Sequence, residues 1–415
     1  MSTNQKIFVG VGVIFGVALI GLLVWFMFMR GTQSATNPGA TIKNSQSFST
    51  VTNTPTQQTT PLTTSGQEVD TSGINSEQKI FKIADGPVLS ATFIETYGPT
   101  TTLARYVMQD SGHVFDIPVS VSGALARVVS NITIPGLGSG TWTDSGGATI
   151  LQYLEASTMK TLYLGFPSAA STTASSSPTI RFFPDNITGL AASPDGSSVV
   201  YLLAGGGGTV GYVSKNDGTG SKVLFTLPFS QVTVSWPSIH TLLVQTKEAT
   251  GVPGIAFSVS TAGAISPLLY ANSLSALANV TFSKIVYQST TNTTAARNTY
   301  IHDVPTGIDG TLPFNPLPEK CVWGTMSTST MYCAAPLSAT PTNYLDLWHQ
   351  GLTSVADDIF SFDVDHGVTT MVANPGGAQG GVAADMAQVA VSPDGQYLLY
   401  ITRGDRTLWG VHIGH

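Results

Sequence analysis

Two stretches of this chain, about two hundred residues apart, repeat one pattern, and that repeat restricts the fold more than any other feature. Gly189-Leu-Ala-Ala-Ser-Pro-Asp-Gly-Ser-Ser-Val-Val-Tyr-Leu-Leu and Gln388-Val-Ala-Val-Ser-Pro-Asp-Gly-Gln-Tyr-Leu-Leu-Tyr-Ile each read as strand, Ser-Pro-Asp-Gly turn, strand. The turn chemistry is specific. Pro194 and Pro393 preset φ at the first turn position, Asp195 and Asp394 can bond the turn backbone from their side chains, and Gly196 and Gly395 take positive φ. With Ser193 and Ser392 ahead of them, both segments are hairpin signatures.

Weaker copies are placed by the large or apolar residue just before each turn: Phe93, Trp142, Ala192, Trp236, Phe282, Trp323 and Val391. Their spacings are 49, 50, 44, 46, 41 and 68 residues. An interval of 40 to 50 residues holding four short strands is the period of a propeller blade, so seven anchors predict an all-β, seven-bladed β-propeller. Short apolar runs such as Leu162–Phe166, Val199–Leu203 and Tyr397–Ile401 supply the strands. The 68-residue interval predicts an insertion of about 20 residues after the strand Met331-Tyr332-Cys333 and before Ile359–Val364, in the connection between that blade's second and third strands. Ring closure is expected from pairing of Leu408–Ile413 with an early strand near Ile80, which would hide the sheet edges.

At Ser193–Gly196 and Ser392–Gly395 the sequence resembles the WD40-like β-propellers of the TolB type, found in the C-terminal half of that periplasmic protein and in many secreted or membrane-anchored bacterial proteins. The resemblance implies that these residues form the hairpin between the first two strands of a blade. It implies the fold strongly and the function weakly, because five of the seven blades lack the motif and the α/β domain that precedes the propeller in TolB is absent.

The amino-terminal fifth is of another kind. After a short tail (1–6), residues 7–29 run without a charge from Ile7 to Met29, and at 1.5 Å per residue they span roughly 34 Å, the thickness of a hydrocarbon core. The run is too long for a signal-peptide core and ends in Phe-Met-Arg, so an uncleaved single-pass anchor is expected. Gly12 and Gly16 form a GxxxG that could support a homodimer, although small residues are common in membrane helices. Between Gly31 and Gln78, Ser and Thr supply 19 of 48 residues, so residues 30–79 read as a disordered linker and residues 80–415 as the folded domain. Lys6 and Arg30 nearly balance across the anchor. The short tail and the lysine-poor linker favour an extracytoplasmic domain, at the cell surface or in the periplasm.

Candidate chemistry is sparse. Cys321 and Cys333 flank a hairpin centred near Ser327, so antiparallel pairing would set them opposite each other; a disulfide and two reduced core cysteines are both open readings. Gly206, Gly208 and Gly211 match GxGxxG, but a strand and turn follow where a dinucleotide site needs a helix. Ser157–Lys160 matches SxxK but sits in a predicted hairpin turn. Asp357, Asp358, Asp363 and Asp365 offer a possible calcium cluster, weighed against a polar strand face and turn. The seven histidines form no i, i+4 pair, and no metal site or cofactor is expected. Asn131, Asn186, Asn279 and Asn292 stand in Asn-X-Thr sequons, which a Thr-rich chain produces by chance. In the insertion, Pro341–Gly351 reads as a short helix capped by Thr342 or Asn343, placing Tyr344 and Trp348 on one face; with His349 they are the candidate contact residues, unless the aromatics instead seal the insertion onto its blade.

A net charge of -7 with only 10% charged residues leaves no basic field for nucleic acid. The expected function is a non-catalytic, membrane-anchored scaffold binding a protein or glycan of the cell envelope. A glycan-acting propeller hydrolase or lyase would need two or more carboxylates converging on the channel, and a structural subunit of an envelope complex is a third reading.

Overall fold

The computed structural model describes residues 78–94, 101–167, 177–290, 297–341, 343–377 and 379–414. They form seven four-stranded antiparallel sheets, six of them continuous in sequence: 88–130, 137–182, 187–227, 232–272, 275–311 and 321–373. These are blades 1 to 6. Blade 7 takes its three inner strands from Met386–Val391, Tyr397–Thr402 and Leu408–His412 and its outermost strand from Ile80–Ala84, with Ile80 opposite Val411 and Phe81 opposite Gly410. The ring therefore closes as the sequence predicts.

Burial explains why the strands differ so much in composition. Second strands, which pack against neighbouring blades on both faces, are near-continuous apolar runs: Tyr397–Thr402 is buried at every position. Outermost strands such as Thr179–Phe182 and Ile308–Thr311 are exposed throughout. Among the described residues, seven clusters of buried side chains each bridge one pair of adjacent blades, so the core is a ring of interfaces. Phe81, Phe93 and Leu399 pack between blades 7 and 1; Val286, Cys321 and Met331 pack between blades 5 and 6.

Both Ser-Pro-Asp-Gly segments join the first and second strands of a blade. Gly196 and Gly395 have φ of 67°, and the Ser193 hydroxyl donates to Asp195 Oδ1 at 2.5 Å while accepting the N–H of Ser198 at 3.0 Å. The serine and aspartate thus satisfy the turn from inside. Phe282 departs from the pattern, lying in the turn after Ser275–Ala278 at φ 58°, while the other six anchors lie within first strands.

Of the GxGxxG glycines, Gly206 lies in the turn between the second and third strands of blade 3, Gly208 opens the third strand and Gly211 lies within it, where a Cβ would fall 2.4 Å from the Phe225 ring; no helix follows. Ser157, at φ 69°, turns the chain between the second and third strands of blade 2. Asn279 is fully buried, its amide bonded to Ser283 Oγ and to the Thr328 carbonyl, so that sequon is closed to modification. Asn292, and the anchor run with Gly12 and Gly16, lie outside the described residues. Among the described residues no helix is long and apolar enough to cross a membrane.

Cys321 and Cys333 are cross-strand partners with Cα atoms 4.0 Å apart and are joined by a disulfide. Both are buried against blade 5. Closing a loop of this length is worth about 3 kcal/mol in the chain-entropy account. The Cys321→Ala, Cys333→Ala double variant is expected to lose about that much in urea unfolding, whereas reductant added to the folded wild type acts slowly because both sulfurs are shielded. A double variant within 0.5 kcal/mol of wild type, taken as about the noise of such measurements, would show the bridge to be energetically idle.

Candidate functional site

In an antiparallel blade the second-to-third and fourth-to-next-first connections leave the same end of the sheets. Connections from four blades and linkers meet at that mouth around the insertion of blade 6. This insertion fills the gap between Thr330–Pro336 and Asp357–Asp363 and carries the helix Tyr344–His349. Asn343 occupies the N-cap without a side-chain capping bond, and Thr342 lies outside the described residues.

Tyr344 and Trp348 share a helix face, but that face points inward: they are 1% and 6% exposed and pack with Leu317 and Leu345. Of the two readings open from sequence, their burial fits the one in which the aromatics seal the insertion onto its blade, not the one in which they display a contact surface. They cover a buried charge, Lys320, which ends the 3-10 turn Pro318–Lys320 ahead of blade 6 and is fully buried. Its ammonium lies 2.7 Å from Asp357 Oδ2 and 2.5 Å from Asp385 Oδ1, with the Tyr344 hydroxyl at 3.1 Å. Trp348 Nε1 donates to both Asp385 oxygens at 2.9 and 3.0 Å, and Met386 N–H donates to Asp357 Oδ2 at 2.9 Å. The lysine also stands 5.1 Å from the Trp348 ring centroid, and the Arg403 guanidinium stands 4.1 Å from it. Arg403, from the second-to-third connection of blade 7, donates to the Trp348 carbonyl.

The electrostatics follow from one cation facing two carboxylates. Burial opposes the Lys320 charge, but Asp357, the Tyr344 hydroxyl and Asp385 more than offset it and hold the ammonium above its ordinary range. The excess negative charge has nowhere to go: burial pushes Asp357 up to about 6 in spite of Lys320, and its Oδ1 has no hydrogen-bond partner among the described residues. Arg297, half-buried above the Tyr344 ring at 4.7 Å, is lowered to about 10 by desolvation.

At the rim, His349 behaves differently from its helix neighbours. It is exposed, and its Nε2 lies 3.1 Å from Glu319 Oε1 and 3.2 Å from Glu248 Oε1. The carboxylates of Glu248 and Glu319 raise its imidazole to about 10. Burial holds the Glu319 carboxyl above its usual range, with Glu248 adding repulsion. Glu248 belongs to blade 4, so the insertion reaches over blade 5 to meet it, and Asp346 Oδ1 accepts the Thr250 N–H of the same loop at 3.0 Å.

The proposed acidic cluster does not assemble. Asp357 and Asp358 begin the third strand of blade 6, while Asp363 ends it and binds the His366 ring at 2.8 Å, with Asp365 paired to Lys284 at 3.5 Å. Glu248, Glu319, Lys320, Asp385 and Arg403 were not singled out by sequence, and no local motif marks them.

No family model matches the sequence, and no curated protein matches it. Solved structures do: the WD40 domain of Neurospora crassa Pan2 is similar with a TM-score of 0.50 at 12% identity, over 83% of this chain and 99% of that one. TolB from Acinetobacter baumannii follows at 0.41 and 13%, over 67% of this chain, which spans 62% of the TolB chain. The propeller of the Trilobed protease from Pyrococcus furiosus gives 0.46 and 9%, over 79% and 98%. The class that the blades and their turns define is the seven-bladed β-propeller. At these identities the likeness is one of fold alone.

Proposed function

We propose that the domain is a non-catalytic binding module of the cell envelope, held at the membrane by residues 7–29 with the propeller outside the cytoplasm, and that it contacts a protein through the mouth around the blade 6 insertion. One observation carries this reading: Lys320, Asp357 and Asp385 are paired under the insertion, while Leu337, Leu352 and Val382, on connections at the same end, are each more than 60% exposed. A hydrolase would need carboxylates open to substrate; Asp357 and Asp385 are shut away with Lys320, and Glu248 and Glu319 at the rim are both paired with His349. A glycan platform would favour exposed rings for stacking, and both aromatics of the insertion are buried. Aliphatic side chains with a polar rim suit a protein surface.

The test is site-specific photocrosslinking of the full chain in native membranes. A photoreactive residue at Leu337 or Leu352 is expected to give one discrete protein adduct. Positions Ile239 and Val280, in first-to-second-strand turns at the opposite end, should give none. Protease digestion of the same vesicles, intact and opened, reports the side on which the domain lies. Equal labelling from both ends, or a domain protected on the cytoplasmic side, would sink the reading.

A further inference from the structure

We propose that Glu248, Glu319 and His349 form a binding site for one divalent cation of the zinc class, which clips the blade 6 insertion to blade 4 and keeps a coordination position open to solvent. The three donor atoms all lie within 4.8 Å of one another. They come from three separate segments: the second-to-third connection of blade 4, the turn ahead of blade 6, and the end of the insertion helix.

Hydrogen bonding alone fits this convergence poorly. Both carboxylates approach the same imidazole nitrogen, at 3.1 and 3.2 Å, and one N–H shared between two acceptors is fully aligned with neither. A metal ion solves that problem. Bonds of 2.0–2.2 Å to nitrogen and oxygen place neighbouring ligand atoms roughly 2.8–3.6 Å apart across octahedral and tetrahedral geometries, and both observed separations fall in that range. A cation would also relieve the repulsion between two carboxylates pressed together at the rim.

The donor set selects the ion. One imidazole with two carboxylates suits Zn2+ and its neighbours, whereas Ca2+ and Mg2+ prefer all-oxygen shells with more ligands. Three protein ligands leave at least one position for water or for a donor brought by a partner. The site is also braced: Asp346 ties the insertion to the Thr250 N–H two residues from Glu248, and the Trp348 ring packs edge-on at 5.3 Å against His349.

The experiment uses the full chain in detergent, stripped with a chelator and titrated with Zn2+ against a chromophoric competitor, with Ca2+ and Mg2+ as controls. One equivalent is expected to bind at micromolar free Zn2+ or below. His349→Ala and, separately, Glu319→Gln should weaken it by more than the roughly 10–100-fold that loss of an outer-shell partner costs. Co2+ should give ligand-field absorption that His349→Ala abolishes while circular dichroism stays unchanged. Absence of a stoichiometric site, or a site indifferent to both substitutions, would overturn the proposal.

Discussion

Replacing Lys320 with Met is expected to destabilise the propeller by about 3–5 kcal/mol, the usual cost of removing one partner from a buried ion cluster. The methionine fills most of the space, so lost packing is a small part of the effect. The cost comes from Asp357 and Asp385, which keep their buried positions and lose the charge that balances them. Adding Asp357→Asn and Asp385→Asn to Lys320→Met should therefore recover a large share of the loss, because the stranded charges go with the lysine. Urea unfolding of the three proteins measures this directly. A single variant as stable as wild type, or a triple variant no better than the single, would mean that the cluster is balanced by something other than Lys320.

Truncation gives the second large effect. A chain beginning at Glu77 should unfold like the full chain, whereas one beginning at Asp85 should fail to fold cooperatively. The eight residues between them include Ile80, Phe81 and Ile83, each 6% exposed or less. At roughly 1.5–3 kcal/mol per fully buried large apolar side chain, their loss approaches the whole stability of about 5–15 kcal/mol expected of a domain. It also bares the edge of Leu408–His412. If the shorter chain unfolds with an unaltered midpoint, closure by Ile80–Ala84 is not what holds the ring.

How much of this was legible in sequence depends on distance along the chain. Blade period, closure and the site of the insertion were readable because each is written locally: a turn formed by Ser193–Gly196, a run such as Tyr397–Ile401, a spacing too long by one loop. Tyr344 and Trp348 were correctly placed on one helix face, but which way that face points depends on Lys320, Asp385 and Arg403, and nothing in the helix announces them. Asp357 drew attention as part of a calcium cluster with Asp358, Asp363 and Asp365; a strand separates the two pairs, and the actual partners of its carboxylate are Lys320, 37 residues before it, and the N–H of Met386 at the start of blade 7. Glu248, Glu319 and His349 meet only because antiparallel blades send alternate connections to the same end. That is a property of topology, invisible to any motif search.

The strand Ile80–Ala84 has a further consequence, in the order of events during synthesis. Its partner, Leu408–His412, is made about 330 residues later, so the strand that opens the ring must wait for the final blade. Joining residues roughly 330 apart costs about 3 kcal/mol more in chain entropy than closing a loop the length of the Cys321–Cys333 hairpin. Until then the nascent ring is an open arc with one unpartnered strand at its start, and this interval is when a chaperone, or a neighbouring copy's free edge, can intercept it.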